Sequence, residues 1–155
     1  MTSKVLTMWP KDPDEFIPNH VMPDGADNDN DDAWYFVFLR GELICKTQQG
    51  VPTPITAGDY RWFDVDTQSK QFLGHHGSVP CFALKAEGSV PEGYSSVPLR
   101  ALLGRTSQTL FYLAGRAQQI VDWYETHQFC GRCGSTMAQH PQDRAMSCEN
   151  CGHIN

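Results

Sequence analysis

Four of the cysteines in this chain fall as Cys130-Gly-Arg-Cys133 and Cys148-Glu-Asn-Cys151, two Cys-x-x-Cys pairs with fourteen residues between them. Each pair can bring two sulfurs to about 2.3 Å from one ion, and two pairs complete the tetrahedron that zinc takes in closed structural sites. Zinc held by Cys130, Cys133, Cys148 and Cys151 is therefore the first expectation. The intervening loop is slightly shorter than the usual ~15–20 residues, but coordination geometry does not set its length. Redox Cys-x-x-Cys motifs come singly, at a helix start, so neither a redox pair nor a disulfide fits the repeat. Gly134 and Gly152 each follow a pair directly, where amides must turn tightly toward the thiolates and a positive φ helps. His140 and His153 lie nearby, yet four thiolates already fill the shell, and both histidines read as solvent-exposed. A filled shell has no open position for water or substrate. The metal is expected to be structural, and no residue is assigned to catalysis or to cofactor binding.

The segment before the cysteines is suited to hold them in place. Leu110, Leu113, Ala114, Ala117, Ile120, Val121 and Tyr124 recur at three- and four-residue steps, the stripe of an amphipathic helix. That helix should start near Thr106 or Ser107, run to about His127, and pack its stripe on an upstream sheet with Gln118 on the opposite face. Pro98-Leu-Arg-Ala-Leu-Leu-Gly104 reads as a short preceding helix, with proline in its first turn and glycine at its end. Further upstream, residues 34–39 and 42–46 are aromatic and β-branched runs joined by Arg40-Gly41, the pattern of a hairpin. Residues 60–65, 71–76 and 79–84 read as three more strands, with His75 and His76 at a hairpin turn. Trp34, Phe36, Phe38, Trp62 and Phe63 are assigned to the core or sheet cover in preference to a base-stacking platform. Cys45 and Cys81 are assigned to the interior as small apolar side chains. Residues 1–32, rich in Pro, Asp and Asn, read as an irregular arm with one short strand around 5–9. The fold class is α+β: a mixed or antiparallel sheet domain over 1–98, connecting helices over 99–128 and a zinc ribbon over 129–155.

Composition narrows the function classes. A chain of 155 residues is long enough to bury a core beside the ribbon. No apolar run approaches the ~20 residues of a membrane span, and the first residues lack the apolar stretch of a signal peptide. No membrane partner is expected, and the expected location is cytoplasmic, a reducing compartment in which zinc-bound thiolates persist. Twelve Lys and Arg against eighteen Asp and Glu leave a net charge of −6, the wrong sign for gripping nucleic acid by phosphate neutralisation. The acidic stretch 24–32 places Asp27, Asp29 and Asp31 at alternate positions as a calcium loop does. However, Asp32 and Phe38 stand where that loop needs a glycine and a bidentate glutamate, so it reads as a solvated loop.

Leu113-Ala-Gly-Arg-Ala117, Trp123, His127-Gln-Phe-Cys-Gly-Arg-Cys-Gly134, Met137, Arg144-Ala-Met-Ser-Cys148 and Cys151-Gly152 closely resemble the central segment of the NADH pyrophosphatases, a branch of the Nudix hydrolases. Phe72-Leu-Gly74 and Val79-Pro80 extend the resemblance more loosely, and residues 1–32 show none. It implies a degenerate Nudix-like N-terminal domain, then a four-cysteine zinc ribbon, then a catalytic Nudix domain in a homodimeric enzyme. That enzyme would split NADH or NAD into nicotinamide mononucleotide and AMP, and would also act on NAD-capped RNA. The Nudix box, G-x5-E-x7-R-E-x2-E-E-x-G, clusters glutamates on one helix face to hold the Mg or Mn ions that activate water. Only six glutamates occur here and no two are adjacent, so the box is absent. The expectation is a non-catalytic portion of a longer enzyme, inactive alone. The alternative is a free-standing zinc-ribbon module binding nucleic acid or a protein partner, with Arg132 and Arg144 supplying the contacts. A zinc enzyme working at the four cysteines is a weaker third reading, since the shell is closed.

Overall fold

The computed structural model describes residues 16–22, 32–48 and 50–155. The expected strand around 5–9 and the acidic stretch up to residue 31 lie outside the described residues.

Among these residues an eight-stranded mixed sheet runs in the spatial order β1 (Phe16–Pro18), β6 (Asp64–His76), β7 (Val79–Glu87), β2 (Trp34–Leu39), β3 (Glu42–Gln48), β4 (Val51–Thr53), with β5 (Ile55–Thr56) against β2 and β8 (Ser95–Val97) against β3. All pairings are antiparallel except β2 with β7, where Trp34 lies opposite Cys81 and Leu39 opposite Ala86. β2 is buried from Tyr35 to Leu39, which explains its unbroken apolar run: a central strand covered on both faces needs no polar alternation. Successive side chains still divide between the faces. Phe36 and Phe38 join Leu43, Leu73, Cys81 and Ala83 under a helix, while Tyr35, Val37 and Leu39 join Ile44, Phe72, Phe82 and Leu84 on the other side. The Arg40-Gly41 turn closes the expected hairpin with both residues at positive φ, 52° and 80°, as a two-residue turn matched to strand twist requires.

The covering helix is α2 (Gln108–Thr126), following a 3-10 helix over Leu99–Leu102 where the short helix was expected. Ser107 caps α2, its hydroxyl accepting the Leu110 amide at 3.2 Å, so the expected start holds. Leu113, Ala114, Ala117, Ile120 and Val121 are the buried stripe. Alanines on the helix meet Cys81 and Ala83 on the sheet, and small side chains on both sides allow close approach. Two details differ from the sequence reading. Tyr124 turns away from the sheet to pack with Trp123 on the ribbon's own core. Gln118, expected to face solvent, donates from Nε2 to the Gly41 carbonyl at 2.8 Å and so ties α2 to the β2–β3 turn.

The region from 55 to 76 also departs from expectation. Of the strand expected over 60–65 only its last two residues are strand: α1 (Ala57–Tyr60) is followed by a turn, and β6 begins at Asp64 and continues to His76 as one strand. Register shifts between Asp66 and Gln71 and between Phe72 and Gly74 let one strand contain the polar stretch that looked like a break. Trp62 is 67% exposed in the turn after α1, so it is neither core nor sheet cover, whereas Phe63 is buried. His75 and His76 are not the turn, which is Gly77-Ser78; they end β6 opposite Pro80 and Val79, and His76 stacks on Trp34 at 4.9 Å. Cys45 and Cys81 are buried free thiols, interior as expected, and burial pushes Cys81 up to about 12, which keeps it in the thiol form.

Candidate metal centre

α2 delivers the chain to the ribbon. It stops at His127, whose Nδ1 donates to the Trp123 carbonyl at 2.7 Å, and Phe129 then bridges to Thr136 across the first cysteine loop. β9 (Ala138–Gln139) and β10 (Met146–Ser147) pair antiparallel behind it, and Ser147 bridges on to Ile154. Met137 and Met146 fill the small interior, backed by Trp123 and Tyr124.

The two cysteine pairs sit in two turns of the same kind. The Gly134 amide donates to the Cys130 carbonyl at 2.8 Å and the Gly152 amide to the Cys148 carbonyl at 2.9 Å. The two glycines have φ of 76° and 72°, a left-handed position where a Cβ is disfavoured. The turns gather the four Sγ atoms within 4.8 Å of one another. Cys130 and Cys151 are 3.6 Å apart, and Cys133 and Cys148 are 3.5 Å apart. A disulfide needs about 2.05 Å, so these are not bonded pairs. Four sulfurs at about 2.3 Å from a tetrahedral ion lie about 3.8 Å from each other, close to what is found, so the donor set fits zinc. The electrostatics agree. Hydrogen bonds from the Ser135 and Asn150 side chains draw the Cys133 thiol down to about 5. The His153 amide draws the Cys151 thiol down, but burial and the three neighbouring sulfurs together outweigh it and push it up to about 12. Adjacent sulfurs cannot all ionise without a cation to neutralise them, and a dication supplies that charge. His140 and His153 are not in the group. The His140 Nδ1 instead accepts from the Asp143 amide at 3.1 Å.

The two ribbon arginines have different fates. Arg132 is exposed. Arg144 is half-buried and reaches across to the sheet, where its Nη2 donates to the Phe72 carbonyl at 2.6 Å and the Asn19 carbonyl at 3.2 Å, and its Nη1 to Gln71 Oε1 at 3.4 Å. It docks the ribbon on β6 and on the stretch after β1, so it does not present a charge to a nucleic acid. Nothing in the spacing of the sequence signals that role, because its partners are backbone carbonyls far away in the chain. Asp59, buried in α1, was missed although it carries a local signal: with Thr56 three residues before it, it forms a capping box. Its carboxylate receives the Thr56 amide and hydroxyl at 3.0 Å each, while the Tyr94 hydroxyl at 2.8 Å and the Lys46 ammonium come from more distant parts of the chain. Among the described residues, no other set of three or more histidine, cysteine or acidic side chains converges as the four cysteines do.

Residues 32–123 match the family model described as an NADH pyrophosphatase-like rudimentary NUDIX domain, and residues 125–154 match the NADH pyrophosphatase zinc ribbon domain. Among curated proteins the chain is similar to the NAD-capped RNA hydrolase of Deinococcus radiodurans, at 34% identity over 90% of this chain and 45% of that protein. It is also similar to proteins of the same description from Stutzerimonas stutzeri, 40% identical over 54% of this chain and 31% of the relative, and from Pseudomonas fluorescens, 37% identical over 57% and 32%. The chain spans less than half the length of these relatives.

Proposed function

Because the chain belongs to the NADH pyrophosphatase family, with that family's rudimentary NUDIX domain and zinc ribbon side by side, we propose that it is the non-catalytic scaffold of an NAD(H) diphosphatase. The whole enzyme hydrolyses the pyrophosphate of NADH or NAD to nicotinamide mononucleotide and AMP, and acts on NAD-capped RNA as the names of its relatives describe. Cys130, Cys133, Cys148 and Cys151 hold one structural zinc. The Mg or Mn ions belong to a glutamate-bearing Nudix domain, and the enzyme works as a cytoplasmic homodimer. Residues 1–98 form the Nudix-like body, 99–128 the connector and 129–155 the ribbon.

The observation that carries this reading is the adjoining pair of family matches over one continuous sheet, helix and ribbon. The scaffold assignment is supported by the six scattered glutamates, which do not supply the clustered carboxylates that metal-assisted attack on a pyrophosphate needs. Arg144 gives a reason to prefer it over a nucleic-acid-binding module, since one of the two arginines that module requires is turned inward onto the sheet and faces only a small cavity.

The test is AMP release from NADH with Mg or Mn. The chain alone is expected to show none, and joining it to a family Nudix domain is expected to restore turnover. AMP formation that follows this chain through repeated purification would overturn the scaffold assignment. Metal analysis addresses the zinc separately: one zinc per chain is expected, and a folded, metal-free protein with four free thiols would refute the site.

A further inference from the structure

Where the ribbon meets the sheet there is a cavity of about 50 Å³, lined by Gln71, Arg144, His20, Trp123, His140 and neighbouring backbone. Gln71 is 6% exposed, and its buried Nε2 has no hydrogen-bond partner among the described residues. The orientation of this amide is set by Arg144, because the Nη1 donor 3.4 Å from Oε1 requires an oxygen there. A buried donor left unpaired is costly, so the cavity asks for an acceptor. The charge around it asks for more than a water. Burial and the nearby guanidinium of Arg116 both lower Arg144, and among the described residues neither arginine is joined to a carboxylate. Asp143 also lines the cavity, but its carboxylate is largely exposed and lies 3.3 Å from His140 Nδ1. Among the described residues three of the five N–H groups of Arg144 are engaged, so two donors remain there.

We propose that this junction binds one small inorganic anion, of chloride to phosphate size, between Gln71 Nε2 and the Arg144 guanidinium, and that the anion strengthens docking of the ribbon on the sheet. Size excludes larger ligands. A water needs about 10–15 Å³ of such space and a drug-sized ligand about 300 Å³ or more, so the cavity admits a small ion and not a nucleotide.

The test is thermal unfolding of the zinc-loaded chain in sodium chloride, sodium phosphate and sodium gluconate at matched ionic strength. Chloride or phosphate should raise Tm saturably, by about 3–6 °C at tenfold excess over Kd, and gluconate should not. Gln71→Leu and Gln71→Glu should both be flat, the second because the Nε2 donor is gone and its carboxylate itself pairs with the Arg144 guanidinium. The Gln71 side-chain amide resonances should shift with the same midpoint in the unmodified protein, a readout that does not depend on either variant folding. Equal responses to all three salts, a saturable response retained in Gln71→Glu, or amide resonances indifferent to chloride and phosphate would each overturn the proposal and leave the cavity to water.

Discussion

At position 74 a Cβ would fall 2.0 Å from the Ile17 carbonyl oxygen and 2.8 Å from the Asn19 amide, and φ there is +128°. Only glycine lets β1 lie this close to β6. Gly74→Ala is therefore expected to cost about 2–3 kcal/mol and to strip protection from the amides of Ile17 and Asn19 in hydrogen exchange. Unchanged stability in urea would show that β1 is not held at this point. Asp59 is a different kind of single-residue constraint. Burial opposes its charge, but Lys46, the Thr56 amide, Tyr94 and the Thr56 hydroxyl outweigh that and hold the carboxyl down at about 2. A carboxyl lower in the folded than in the unfolded state, where it lies near 3.9, adds stability that is complete above that value and lost as pH falls toward 2. Unfolding midpoints measured from about pH 5 down to pH 2 should decline more steeply in the unmodified protein than in Asp59→Asn. That variant should start about 1–3 kcal/mol less stable near neutrality. Parallel curves would mean that the network contributes nothing.

Among the elements, α2 shows how far pattern reading reaches. Its stripe and its Ser107 cap were legible because both follow from helix period and from the unpaired amides of a first turn. The turn of each cysteine pair was legible for a similar reason: tight turns at fixed spacing call for glycine. What stayed hidden was set by distant partners. β6 reads as two strands because its polar middle looks like a loop, and only its pairing with β7, register shifts included, makes it one element. Residues 60–65 read as one strand because Tyr60, Trp62 and Phe63 have strand propensity, but Tyr60 closes α1, which the Asp59 network anchors, and Trp62 lies in the turn after it. Arg144 and Gln71 carry no local signal at all. The stripe itself is testable. Leu113 is 2% exposed, so Leu113→Asp combines lost burial with a buried charge and should cost about 4 kcal/mol or more. Because α2 covers Phe36, Leu73 and Ala83, the loss should appear as unfolding of the sheet as well as of the helix. Gln119→Ala on the exposed side is the proper control, since Gln118 is bonded to the Gly41 carbonyl. Equal small effects from both substitutions would mean that the stripe is not a core face.

In the whole molecule, the two bodies share α2, whose Leu113 to Val121 stripe serves the sheet while Trp123 and Tyr124 serve the ribbon. Zinc binding in small fingers is worth about 10–16 kcal/mol of apparent folding energy, so chelation should unfold residues 129–155 and leave the sheet standing. Arg144 adds a second consequence. With the ribbon gone, its bonds to the carbonyls of Phe72 and Asn19 go too, so β1 and residues 19–22 should lose exchange protection at the same chelator concentration as the ribbon. Protection at β1 that survives chelation would show that the sheet edge does not depend on the ribbon. The parallel seam between β2 and β7 bears on time more than on stability. The β2–β3 and β6–β7 hairpins join residues close in sequence and can close quickly, whereas residues 34–39 meet residues 81–86 only after a long loop has been drawn in at an entropic cost. Formation of the seam is therefore expected to be the step that commits the chain to fold. Val37 lies opposite Leu84 on one side and Ile44 on the other, and Val37→Ala is expected to slow refolding by most of its equilibrium effect and barely to speed unfolding. A change confined to the unfolding arm would place the seam after the barrier.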